Sequence, residues 1–128
     1  GVRLGFVSGP SDFIKSVKGM LGPWPISSIA AEIGKIALND KTWISQMEKI
    51  LLEGSNVLHR ACNTKNWKLI GKTNLFHTYA TSSSLEVEKQ FAAHNIWIRT
   101  FDYSETWVRL GIPTSKYEWT RVRRALNQ

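Results

Sequence analysis

Two arginines stand inside runs that would otherwise be read as buried β-strand. Arg99 falls between Ile98 and Thr100, and Arg109 between Val108 and Leu110. The stretch that holds them, Asn95 to Pro113, reads as two apolar strands, Ile96–Phe101 and Trp107–Ile112, joined by a short polar loop. A guanidinium in such a strand is costly to bury unless an anion meets it. Its planar fork matches a carboxylate or a phosphate with two parallel hydrogen bonds. The chemistry indicated is recognition of an acidic ligand by a small sheet. The plainer alternative is that both arginines are solvated, or paired with a nearby acid such as Asp102 or Glu105.

Other reactive side chains form no recognisable site. His59, His77 and His94 lack the spacing of metal ligands. There is no glycine-rich phosphate loop and no nucleophile elbow. Cys62 falls within a helical pattern and reads as a buried structural thiol. As the single cysteine it rules out an internal disulfide and points to a reducing compartment. Strand alternation puts Phe76 and Thr78 on one face and Leu75, His77 and Tyr79 on the other, so His77 reads as a partly exposed strand histidine. Trp24 stands in the stiff segment Gly22-Pro23-Trp24-Pro25-Ile26-Ser27, where it either packs in a core or borders a ligand pocket.

The elements that must position these residues follow from periodicity and caps. Val2–Val7 reads as a short buried strand ended by Ser8-Gly9-Pro10. Ser11 is read as the cap of a helix that Gly22-Pro23 stops. Ser27 or Ser28 opens a second helix, interrupted at Asn39-Asp40, and Asp40 caps a long third one with apolar positions from Trp43 to Ala61. The compact module that follows has strands Trp67–Ile70 and Leu75–Ala80 around a turn at Gly71-Lys72-Thr73-Asn74. A capping box at Ser83–Glu86 opens a helix with Leu85, Glu88, Phe91 and Ala92. The two arginine strands come next, and a second capping box at Ser115–Glu118 opens a last helix carrying Trp119, Val122 and Leu126. The order β-β-α-β-β-α predicts an α+β layer with helices on a sheet, and a domain boundary near residues 28–40.

Bulk properties agree with a globular protein. A chain of 128 residues buries roughly 65–70% of its unfolded surface. Seventeen Lys and Arg against ten Asp and Glu give a formal charge of +7, which favours anionic partners. The basic residues are scattered, as on an ordinary solvated surface. No run of about 18 apolar residues exists, so no membrane-spanning helix is expected. The chain starts Gly-Val-Arg-Leu-Gly-Phe-Val without a methionine and without a signal-peptide pattern, so it is expected to be the carboxy-terminal part of something longer.

Four stretches in order, Gly1–Phe6, Leu21–Ser27, Gly71–Phe76 and Ile98–Tyr103 with Trp107–Pro113, resemble the aspartate-aminotransferase fold (fold type I), whose enzymes use pyridoxal phosphate. The nearest branch is that of the threonine-phosphate decarboxylase-like proteins of cobalamin synthesis, with histidinol-phosphate-type aminotransferases as the alternative. The resemblance implies that residues 1–30 end a large cofactor-binding domain, 31–64 are connecting helices and 65–128 form the small domain. It implies that Arg3 binds the cofactor phosphate, that Arg109 clamps the substrate carboxylate, and that Arg99 reaches substrate phosphate or carboxylate. Trp24 would lie near the active site. The substrate implied is a small phosphorylated amino acid, in a cytoplasmic homodimer with no membrane role.

A basic α+β module that binds RNA is the reading from another class, resting on the charge and on Trp67, Phe76 and Tyr79. The strands lack the aromatic pattern that stacks bases, so nucleic acid is the weaker expectation. In the resembled family the lysine that carries the cofactor precedes the Arg3 motif, and no lysine precedes Arg3 here. The chain alone is therefore expected to be inactive. Adding pyridoxal phosphate should give no borohydride-trappable absorbance band; a specifically trapped lysine would overturn that expectation.

Overall fold

In the computed structural model, which describes residues 2–127, the chain divides into two compact units, Gly1–Ile44 and Ser45–Gln128. Gly1 of the first motif and Gln128 at the end of the expected small domain lie outside the described residues.

The first unit is helical. α1 (Ser11–Leu21) follows Pro10, which occupies the N-cap and offers no side-chain bond, so Ser11 is the first helical residue and not the cap. Proline suits this border because its fixed φ needs no rearrangement to enter a helix. Gly22 ends α1 at φ 72°, a conformation that glycine reaches without strain. α2 (Ser28–Asn39) is capped by Ser27, whose hydroxyl accepts from the Ala30 N–H at 3.1 Å. Asp40 accepts from the Trp43 N–H at 2.9 Å and opens α3 (Lys41–Asn63), as its position predicted.

The expected strand over residues 2–7 is not formed. Strands persist by exchanging backbone hydrogen bonds with a neighbour, and the described residues of this unit contain no other strand. Arg3 adopts φ 58° there, which breaks an extended run. Leu4 instead lies against α2 at Gly34, where a Cβ would collide with its methyl group.

The second unit is α+β. Its four strands, β1 (Lys68–Lys72), β2 (Phe76–Ala80), β3 (Arg99–Phe101) and β4 (Ser104–Gly111), form one antiparallel sheet in the order β1-β2-β4-β3. α4 (Ser84–Ala92) and α5 (Lys116–Leu126) complete the β-β-α-β-β-α order. Leu58 and Cys62 of α3, Val87 and Phe91 of α4, and Val122, Ala125 and Leu126 of α5 close one core with Tyr79, Val108 and Leu110 of the sheet.

Several boundaries differ from expectation for local reasons. The first arginine strand is only Arg99–Phe101, because Asn95 turns at φ 55° and the Ile96 N–H bonds back to the Phe91 carbonyl. The second starts earlier, at Ser104, and ends at Gly111. β1 runs on to Lys72, and the turn contracts to the residues that the Thr73 hydroxyl ties down by accepting from the Leu75 and Phe76 N–H groups. Ser83 caps α4 through the Glu86 N–H, but Glu86 does not reciprocate, so only half of that capping box exists. The face of α4 is also shifted: Val87 is buried and Leu85 exposed. The box at Ser115 and Glu118 is complete, and the N–H groups of Thr114 and Ser115 hold the Glu118 carboxyl below the usual carboxylate range.

His77 is the largest departure. It is fully buried, not partly exposed. Its ring is bracketed by the Ser55 hydroxyl at 2.7 Å from Nε2 and the Tyr79 hydroxyl at 2.9 Å from Nδ1. Ser55 comes from α3, so the polar pair ties that helix to the sheet. Burial, with lesser contributions from Lys72 and His59, pushes the His77 pKa down to about 4. A depressed histidine pKa favours folding only where the unfolded chain also keeps the ring neutral. Stability should therefore be full above pH 6.5 and fall as the pH drops from there to about 4, by on the order of 3 kcal/mol. Urea unfolding at a series of pH values measures this, and His77→Gln should flatten the slope.

Candidate anion-binding face of the sheet

The face of the sheet opposite the helices carries the arginines. The β2–β4 pairing sets Thr78 against Arg109 and Tyr79 against Val108. Alternation then sends Tyr79, Val108 and Leu110 into the core, and Phe76, Thr78, Trp107 and Arg109 to the other side. The β3–β4 pairing sets Arg99 directly against Arg109. Residues opposed in this way share a face, with Cα atoms about 4.5–5.5 Å apart. The two forks thus belong to one place.

Neither fork is neutralised. Among the described residues the only salt bridge is Lys15 with Asp12, so Asp102 and Glu105 pair with neither arginine. Arg109 is half-buried and Arg99 exposed. The Arg109 guanidinium lies over the Phe76 ring, 4.7 Å from its centroid. Both arginines border a hollow of about 360 Å³, with Phe76 and Trp97 among its other walls and no carboxylate in its lining. A small anionic metabolite fits such a space, and positive charge without counter-charge is what it would meet.

A second hollow of about 330 Å³, between α4, α5 and the end of β4, includes Glu118 and Arg121. Both have other work. Glu118 closes the capping box, and Arg121 donates from Nε to the His94 carbonyl at 2.9 Å and from Nη2 to the Asn95 carbonyl. Arg121 holds the chain that leaves α4 and Glu118 the chain that enters α5, and neither offers a free fork or carboxylate to a ligand.

The other residues singled out from sequence lie in the first unit. Arg3 is exposed in its irregular segment. Trp24 is 89% exposed, so it does not pack in that unit's interior. Phe76 and Trp97 were not singled out as site residues. Trp97 stands two positions before Arg99, the spacing that places strand residues on one face, and that was the available signal. Phe76 needed the β2–β4 register, which sequence does not give.

The aromatic support for RNA binding fails. Tyr79 is fully buried, and Trp67 packs on the core beside Tyr79 and Phe91. Phe76 has its face taken by Arg109. Bases cannot stack on rings placed in this way. Cys62 is buried as expected, and burial pushes its thiol up to about 12, so it offers no thiolate. Among the described residues no helix is long and apolar enough to cross a membrane.

Comparison with known proteins gives the family. The model of the aminotransferase class I and II family matches residues 1–126. Over 112 residues the chain is 30% identical to a threonine-phosphate decarboxylase from Sinorhizobium sp, an alignment that takes in 88% of this chain and 33% of the relative. The chain spans about a third of the length of the curated relative it matches.

Like charges set directly opposite each other in a sheet are destabilising. Without a bound anion, Arg99→Gln should therefore raise stability by about 0.5 kcal/mol, and the gain should shrink as salt screens the pair. Thermal unfolding at low and high ionic strength checks both.

Proposed function

Since the chain belongs to the aminotransferase class I and II family, we propose that its second unit is the substrate-gripping part of a decarboxylase for a small phosphorylated amino acid. The name of the Sinorhizobium relative supports that substrate class. The observation that carries the reading is the opposed pair Arg99 and Arg109, on one face, over one hollow, with no carboxylate partner among the described residues.

The family uses pyridoxal phosphate. When bound, that group supplies the electron sink for the bond broken at the α-carbon. Arg3 is suited to one contact with the cofactor phosphate: it is exposed, and no carboxylate of the described residues pairs with it. Trp24 borders the same site in this reading. Arg109 takes the α-carboxylate with its fork, which fixes the rotation of the α-carbon and so selects the bond that breaks. Arg99 takes the phosphate at the other end of the ligand. Trp97 covers the ligand's carbon skeleton and limits its exposure to water. Residues 1–30 then belong to the large domain, 31–64 connect, and 65–128 are the small domain. A cytoplasmic homodimer serving cobalamin synthesis completes the proposal.

The test is a binding titration of the 128-residue chain, followed by NMR, with O-phospho-L-threonine, L-threonine and inorganic phosphate. The phosphorylated amino acid should bind most tightly. Arg109→Ala should weaken it by about 2 kcal/mol, near the lower end for a desolvated charge pair because this arginine is only half-buried. Unchanged binding by the variant removes Arg109 from the site. A steep loss of affinity with salt for single-stranded RNA, with no preference among the small ligands, would favour the nucleic-acid reading instead.

A further inference from the structure

Arg109 is held by no acid, yet a carboxylate clamp works only if its fork is already aimed. Three groups face it across the sheet. Arg99 stands opposite on β3 and repels it. Thr78 stands opposite on β2. Phe76, two residues before Thr78 on the same strand, is its diagonal neighbour and lies beneath the guanidinium at 4.7 Å. Of the three, only Phe76 offers a broad, electron-rich plane.

We propose that Phe76 is the positioning residue of the Arg109 clamp, stacking beneath its guanidinium so that the fork faces the hollow before a ligand arrives. The inference rests on the carboxylate role of Arg109 proposed above. The geometry suits that role for a specific reason. A ring under the guanidinium engages its face and leaves the N–H donors in the guanidinium plane free for a carboxylate. An acidic partner in the same place would consume those donors. The ring also needs no counter-charge, so the hollow stays positive for the ligand. Phe76 acts through Arg109 and leaves Arg99 alone, which separates the two ends of the ligand experimentally.

The chain is compared with its Phe76→Leu, Phe76→Tyr and Arg109→Gln variants. Each is titrated with O-phospho-L-threonine and with its methyl ester, in which the carboxylate is blocked. The Arg109 Cδ and Nε protons are followed by NMR for the ring-current shift that a ring beneath them produces. Phe76→Leu should abolish that shift and weaken the free acid about three- to tenfold, the range of a partly desolvated cation–π contact, while the methyl ester binds as before. Phe76→Tyr, which keeps the ring, should restore both readouts; should the leucine variant fail to fold, the ring-current shift of the wild-type chain carries the test. Arg109→Gln should lose the acid-over-ester preference altogether. If Phe76→Leu keeps full preference while Arg109→Gln loses it, the clamp stands and the positioning role is overturned. If the wild-type chain shows no preference, or binds neither ligand, the clamp itself is wrong and this inference goes with it. Absence of the ring-current shift in the wild-type chain overturns the stacking directly.

Discussion

The register between β2 and β4 decides which way every chemically important side chain of the sheet points. With Thr78 against Arg109 and Tyr79 against Val108, the apolar set faces the helices and the cationic set faces away. A slip of one residue would exchange the faces, driving Arg109 into a core closed by Phe91 and Leu58 and exposing Val108 and Leu110. An unpaired guanidinium there would carry the full desolvation penalty of a buried charge. The same pleat that buries the core therefore also fixes the cationic face, and no separate device is needed to choose it.

What holds the register is partly polar. His77 and Tyr79 are consecutive inward residues of β2, and Ser55 reaches the His77 ring from α3. Apolar contacts alone tolerate sliding better than a bracketed imidazole, whose two nitrogens need partners at particular points. His59 adds a longer contact to the Tyr79 hydroxyl from the next turn of the same helix. This buried group looks like a catalytic constellation in its residue types, but its ring has no exposure to a substrate. Its consequence is structural: α3 and β2 are locked together, and the outer face inherits their rigidity.

Much of the plan was legible in the sequence because it rests on local rules. The complete capping box at Ser115 and Glu118, the Asp40 cap and the stop at Gly22 depend on residues within a few positions of each other. The pairing of Arg99 with Arg109 was within reach because two apolar strands joined by a short loop have few ways to pair. The failures came where a neighbour distant in sequence made the choice. Residues 2–7 have strand composition but no strand to pair with among the described residues of their unit. Leu85 and Val87 exchanged roles because only the position of α4 over the sheet says which side of a short helix is inner.

By itself the sequence determined the α+β order of the second unit, the caps at Ser27, Asp40 and Ser115 and the presence of two forked cations on adjacent strands, since composition, spacing and capping act over short distances. The tertiary structure alone decided that His77 would be buried and that Phe76 would lie beneath Arg109. Both outcomes come from strands and helices brought together from far apart in the chain. Such encounters are governed by register and by the exclusion of water from a shared core, and neither is encoded in any single stretch of residues.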